Sequence, residues 1–202
     1  NLAGELVGSL EARDFTVADN GVQQEIAVFE HQTTQPLSIA LLIDISASTA
    51  KDLRYETTSV TKFLEALVRE GNPEDAAALY SFNDQITLLN TYTRNVARLE
   101  ERLRTLKPDA GTSLYDTIYL AAPALREREG RHVIVAISDG GDTTSSKKYK
   151  DALDAAQKAD AIFYPIVVVP ITNPAGRNTA GEHALETLAV STGGRSFYPT
   201  VG

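Results

Sequence analysis

The chain of 202 residues contains no cysteine, no methionine and no tryptophan. Without cysteine there are no disulfides, no thiolate metal sites and no cysteine nucleophile. The absence of methionine implies that this is not a complete primary translation product and that N-terminal sequence has been removed. No basic n-region opens the chain at Asn1, so a signal peptide is already gone or lies outside it. No apolar run reaches the roughly 18 residues needed to span a bilayer. Basic residues are also in deficit, 19 against 27 acidic, for a net charge of −8. No basic stripe is visible, which argues against nucleic acid as a partner. The three histidines, His31, His132 and His183, are too scattered for a His-Glu-x-x-His metal helix. There is no Gly-x-Ser-x-Gly elbow and no phosphate-binding Gly-x-x-x-x-Gly-Lys loop.

What is present is ordinary for one globular α/β domain: 43% hydrophobic and 23% charged residues. The pattern changes once, near Pro36. Residues 1–35 hold short alternating pieces, Asp14–Val17 and Gln24–Phe29, around the turn signal Asp19–Asn20–Gly21. These form an N-terminal β extension packed on the main domain, too short to fold alone.

From Leu37 strands and helices alternate. Strands are expected at Leu37–Ile43, Ala76–Phe82, Ile86–Leu89, Val133–Ile137 and Ile162–Val169, with a short last strand at Arg195–Tyr198. Helices are expected at Asp52–Arg69, Val96–Leu106, along Leu114, Ile118, Ala121 and Leu125, at Lys147–Lys158, and at Glu182–Ser191. The polar stretch Thr172–Gly181 reads as a flexible loop. Several strands are continuously apolar, which suits strands buried on both faces of a mostly parallel, doubly wound sheet.

Against this background Leu41–Leu42–Ile43–Asp44–Ile45–Ser46–Ala47–Ser48 stands out. An apolar strand ends in a carboxylate and two hydroxyls at alternate positions, which can face one side of an extended loop. Ala110–Gly111–Thr112–Ser113 and Ile137–Ser138–Asp139–Gly140 supply further oxygen donors. In a doubly wound sheet such strand ends converge where ligands bind. Asp44, Ser46, Ser48, Thr112 and Asp139 together make a plausible oxygen shell for a small divalent cation. Mg²⁺ takes near-octahedral oxygen coordination and usually keeps several waters; Mn²⁺ and Ca²⁺ share its oxygen donors. Singly, each residue has a plainer reading: Ser46, Ser48 and Thr112 as helix caps, Asp139 as a turn residue. Jointly, five such residues at three loops are hard to explain by capping. Asp142 and Asp116 are weaker candidates for a supporting shell; Asp116 also reads as the acidic first turn of a helix.

The pattern Asp44-x-Ser46-x-Ser48 with Thr112 and Asp139 resembles the metal-ion-dependent adhesion site of von Willebrand factor A domains. The resemblance covers about residues 37–199, nearly the whole chain. Gly111–Asp116 and Ser138–Asp142 are closest to secreted bacterial members, in which a segment similar to Asp14–Val17 and Asn20–Gly21 precedes the domain. The resemblance implies a von Willebrand A, Rossmann-like fold over 36–202. It further implies Ser46, Ser48 and Thr112 as direct ligands, and Asp44 and Asp139 as ligands direct or through water. The function implied is metal-dependent protein–protein interaction, in adhesion or assembly, with a partner protein supplying a carboxylate to the ion. It implies an extracellular or periplasmic location and no catalysis. Two positions depart from the common pattern, Thr49 for Met and Ala110 for Gly, and neither removes a ligand. A final helix expected of the fold is missing from the sequence. Two rivals remain. One is a metal-stabilised scaffold without a regulated ligand. The other is a Mg²⁺-dependent phosphatase-like hydrolase with Asp44 as nucleophile, although Ser46 stands where a second Asp is wanted.

Overall fold

The computed structural model describes residues 10–29, 35–47, 49, 53–168 and 178–199, with 53–56 described by backbone alone. The chain divides into two units, Asn1–Thr34 and Gln35–Gly202.

In the first unit, strands β1 (Val17–Asp19) and β2 (Val22–Gln24) pair antiparallel. Asn20 and Gly21 join them at φ 48° and 81°. Two consecutive left-handed residues match the right-handed twist of the strands, which is why Asn-Gly is favoured there. The hairpin therefore sits on the expected turn. Its strands are shorter than expected: Asp14 ends a 3₁₀ turn (Ala12–Asp14), and residues 25–29 form no strand.

The second unit is built on a five-stranded sheet in the order β5-β4-β3-β6-β7. Its strands are β3 (Leu37–Asp44), β4 (Ala76–Phe82), β5 (Ile86–Thr93), β6 (Arg131–Ser138) and β7 (Ala161–Val167). All neighbours run parallel except β4 and β5, which a tight turn at 83–85 makes antiparallel. The expected strand Ile86–Leu89 continues to Thr93 past two irregularities in the β4–β5 register. The expected last strand at Arg195–Tyr198 reduces to one bridge. Phe197 exchanges two hydrogen bonds of 2.8 Å with Pro165 and Val167, and no ladder develops from that pair.

Continuous burial along β3 follows from helices on both faces. Ala40 and Leu42 face one core, with Leu114, Ile118 and Leu125 of α3 (Leu114–Arg126), Ala152 and Ala156 of α4 (Tyr149–Lys158), and Leu185 and Leu188 of α5 (Thr179–Ser191). Ile39, Leu41 and Ile43 face the other, with Val60 and Leu64 of α1 (Leu53–Glu70) and Leu99 and Leu103 of α2 (Val96–Leu103). A period-2 strand dressed on both sides is apolar along most of its length, as the sequence is from Ile39 to Ile43. Most of the expected loop Thr172–Gly181 lies outside the described residues, and its last three residues open α5.

One buried carboxylate ties the start of this sheet to the end of α1. Asp75 accepts the Leu37 N–H at 2.7 Å and the Asn72 N–H at 2.8 Å, and it is 4% exposed. Asp75→Ala should cost about 1–3 kcal/mol in urea unfolding, because it strands two backbone donors. Glu74→Ala, an exposed change in the same turn, should stay within about 0.5 kcal/mol. Equal unfolding midpoints for the two variants would refute this account.

Candidate metal centre

Parallel pairing carries β3 and β6 to the same edge of the sheet. The register Ile43↔Ile137 sets Asp44 beside Ser138, and both follow residues whose side chains face the core shared with α1 and α2. Asp44 is fully buried at the end of β3. Its Oδ1 accepts the Ser46 N–H at 2.9 Å and its Oδ2 accepts the Ser138 hydroxyl at 2.5 Å. Burial pushes the Asp44 carboxyl up to about 6; the Ser138 and Ser46 hydrogen bonds oppose that rise, and the charge of Asp139 adds to it.

Ser46 is buried and forms a bridge with Asp109, whose N–H donates to Ile45 O at 3.0 Å. That bridge draws the loop preceding α3 against the end of β3. Thr49 closes the turn after Ser46, its hydroxyl lying 3.0 Å from Asp44 O and 3.1 Å from Ser46 O. Thr at this position is thus satisfied by backbone. Ser48 lies outside the described residues.

Thr112 is held entirely through its backbone. Its N–H donates to Thr143 Oγ1 at 3.0 Å, and its carbonyl accepts from the Thr143 and Thr144 N–H groups at 2.8 and 3.1 Å. The residue is 6% exposed, and its hydroxyl has no hydrogen-bond partner among the described residues. Asp139 is half-buried and accepts the Gly141 N–H at 2.8 Å. Gly141 shows how these groups lie. A Cβ at Gly141 would stand 3.0 Å from Asp139 Oδ1, 3.4 Å from Asn178 Nδ2 and 4.0 Å from Thr112 Oγ1. The structure thus brings Thr112 and Asp139 around one point, while the Asp44–Ser138 pair lies next to Asp139 at the ends of β3 and β6.

The two weaker candidates hold a neighbouring loop. Asp142 accepts the Tyr115 N–H and the Ser145 hydroxyl, each at 2.8 Å. Asp116 accepts the Ser146 and Lys147 N–H groups at 2.9 and 2.7 Å. Together they clamp the loop 142–147 onto the start of α3, and Thr143 and Thr144 of that loop hold the Thr112 backbone. Neither carboxylate bonds to the Thr112 hydroxyl.

Sequence reasoning did not assign Ser138, which bridges Asp44 to the Gly140 N–H at 3.0 Å. An isolated serine at the end of an apolar strand carries no signal until the register to β3 is known. Asn178 was missed too, inside a stretch read as loop. No trio of His, Asp or Glu side chains that could hold a metal gathers among the described residues, so a cation here would depend on hydroxyl donors beside the two carboxylates.

A family model described as von Willebrand factor type A domain matches residues 39–141. Among solved structures, the chain is similar to the conserved hypothetical protein BatB from Bacteroides thetaiotaomicron. The two are 18% identical with a TM-score of 0.65, over 82% of this chain and 91% of that one. The SpRpn10 VWA domain aligns with 19% identity and a TM-score of 0.60, over 83% of this chain and 90% of that one. The three N-terminal domains of the type V pili tip protein Mfa5 from Porphyromonas gingivalis align with 24% identity and a TM-score of 0.52, over 55% of this chain. This chain spans only 21% of that Mfa5 structure. No curated protein sequence matches the chain. At these identities the structural likenesses establish the fold.

The buried Asp44 makes the metal-free protein sensitive to pH in a stated direction. Its carboxyl rises from 3.8 to about 6 on folding, so the folded state holds the proton more tightly than the unfolded one. Its contribution to stability is fully present below pH 3.8 and is lost as pH rises through about 6. At about 1.4 kcal/mol per unit, the loss is about 3 kcal/mol. In chelator-treated protein, urea unfolding of wild type should fall by about that amount between pH 4 and 7 relative to Asp44→Asn. Parallel pH curves for the two proteins would show that Asp44 carries no such burden.

Proposed function

The chain belongs to the von Willebrand factor type A domain family, and on that premise we propose a divalent-cation-dependent protein-interaction module. Domains of this family commonly serve protein–protein interaction or assembly and are generally not enzymes. In this reading Mg²⁺, or Mn²⁺ or Ca²⁺ in its place, is held by Asp44, Ser46, Ser48, Thr112 and Asp139. A carboxylate from a partner protein completes the shell.

The observation that carries the reading is the pairing of Thr112 and Asp139 beside Gly141. The Thr112 hydroxyl makes no hydrogen bond among the described residues, so its lone pairs are available to an ion or water. It lies 4.0 Å from the Cβ position of Gly141, which an Asp139 oxygen approaches at 3.0 Å. The donors are all hard oxygens, the class preferred by Mg²⁺. Asp44 supports the reading as well. Its burial is unfavourable for a lone carboxylate, and a neighbouring cation would offset that cost.

We place the module outside the cytoplasm, in keeping with the secreted bacterial sequences it resembles. One structure it is similar to belongs to a pilus tip protein. No helix among the described residues is long and apolar enough to cross a membrane.

Calorimetric titration of chelator-treated protein with Mn²⁺ and Mg²⁺ tests the reading. One-site binding is expected in wild type and is lost in Thr112→Val and Asp139→Ala, with urea midpoints retained. Ser138→Ala, which leaves the ligands but removes the donor to Asp44, should weaken Mn²⁺ about 10- to 100-fold. Thr112→Val binding Mn²⁺ like wild type would show that the hydroxyl is not a ligand, and the assignment would fall.

A further inference from the structure

We propose that Asn178 selects the partner's carboxylate, its amide N–H₂ donating to the carboxylate oxygen that the cation does not take. This rests on the cation-dependent reading above and names a residue for the partner's side of it.

Asn178 is the N-cap of α5, and its Oδ1 accepts the Gly181 N–H at 3.0 Å. Because Gly181 contributes a donor, the atom facing it must be the oxygen, and the amide's two ends are thereby assigned. The nitrogen then sits between Gly181, whose Cβ position it would approach at 2.6 Å, and Gly141. It lies 3.4 Å from the Cβ position of Gly141, the same point that Asp139 Oδ1 and Thr112 Oγ1 approach at 3.0 and 4.0 Å. No described residue accepts a hydrogen bond from it, whereas its oxygen is satisfied. Thr112, 6% exposed with its hydroxyl making no hydrogen bond among the described residues, comes near the same place. A hydroxyl oxygen and an amide donor therefore both lie within 4.0 Å of the Gly141 Cβ position.

The start of α5 is fixed there by contact that only glycine permits. A Cβ at Gly140 would lie 2.3 Å from the Gly181 carbonyl carbon, and one at Gly181 would lie 2.4 Å from Gly140 O. Gly140 also has φ +81°, where a side chain would be strained. With no Cβ on either side, the first turn of α5 rests on the loop that carries Asp139. A carboxylate has two oxygens to satisfy, and a cation with one donor beside it satisfies both. A neutral carbonyl or hydroxyl ligand gains nothing from the second donor.

Asn178→Asp separates this role from capping. Asp is as good an N-cap as Asn, so α5 and overall stability should be retained. The change exchanges a donor for a negative charge beside the bound carboxylate. The probes are Mn²⁺, followed by calorimetry, and acetate, followed by the broadening of its methyl proton signal by protein-bound Mn²⁺. Wild type should bind both. Asn178→Asp should bind Mn²⁺ at least as tightly and acetate about tenfold or more weakly. Asn178→Ser, a good cap without the amide donor, should also lose acetate affinity while keeping the wild-type urea midpoint. Wild-type acetate binding in either variant would overturn the proposal, as would loss of Mn²⁺ binding in Asn178→Asp. If wild type binds no Mn²⁺, the cation reading itself fails and this inference falls with it. If wild type binds Mn²⁺ but not acetate, only this inference fails.

Discussion

The Asp44 carboxylate is buried at the end of the central strand, and much of the surrounding structure serves to keep it there. A carboxylate out of water is unfavourable unless its oxygens are hydrogen-bonded. Ser138 and the Ser46 N–H supply those bonds, and each is available only because of a particular feature of the fold. Ser138 arrives because β6 runs parallel to β3 in the register that pairs Ile43 with Ile137. Ser46 turns back because Thr49 and the Asp109 bridge shape the loop beyond β3. The unfavourable burial of Asp44 thus falls at the point where the fold gathers oxygen donors.

Around this group, stabilising contacts and site geometry are the same contacts. Asp142 and Asp116 fix the loop 142–147 to α3, that loop holds the Thr112 backbone, and the Thr112 hydroxyl is left unpaired. The paired glycines 140 and 181 bring α5 against the loop that carries Asp139.

Much of the fold could be read before any coordinates. The mostly apolar runs at Leu37–Ile43 and Ala76–Phe82 fall on strands, because strands buried on both faces leave little room for polar residues. Asn20–Gly21 forms the hairpin turn because two left-handed residues are needed there. Elements whose extent depends on a neighbour were harder. Ile86–Leu89 runs on to Thr93 because β4 continues to pair with it, and Arg195–Tyr198 never becomes a strand because only Phe197 meets β7. Within the site, Asp44, Ser46, Thr112 and Asp139 were legible as a pattern of hard donors at strand ends. Ser138 and Asn178 were not, since a single serine or asparagine has no spacing to give it away.

The sequence by itself determined the class of fold, the ends of the strands at which polar residues replace apolar ones, and the oxygen-only chemistry available there. Those follow from periodicity and side-chain type, which are local properties of the chain. Only the tertiary structure decided which hydroxyl is consumed and which is left free. Ser138 is spent on Asp44 and Thr112 is not spent at all, although both are hydroxyls beside the same loops. The difference arises from strand register and from contacts between residues dozens of positions apart, and no local pattern encodes those distances.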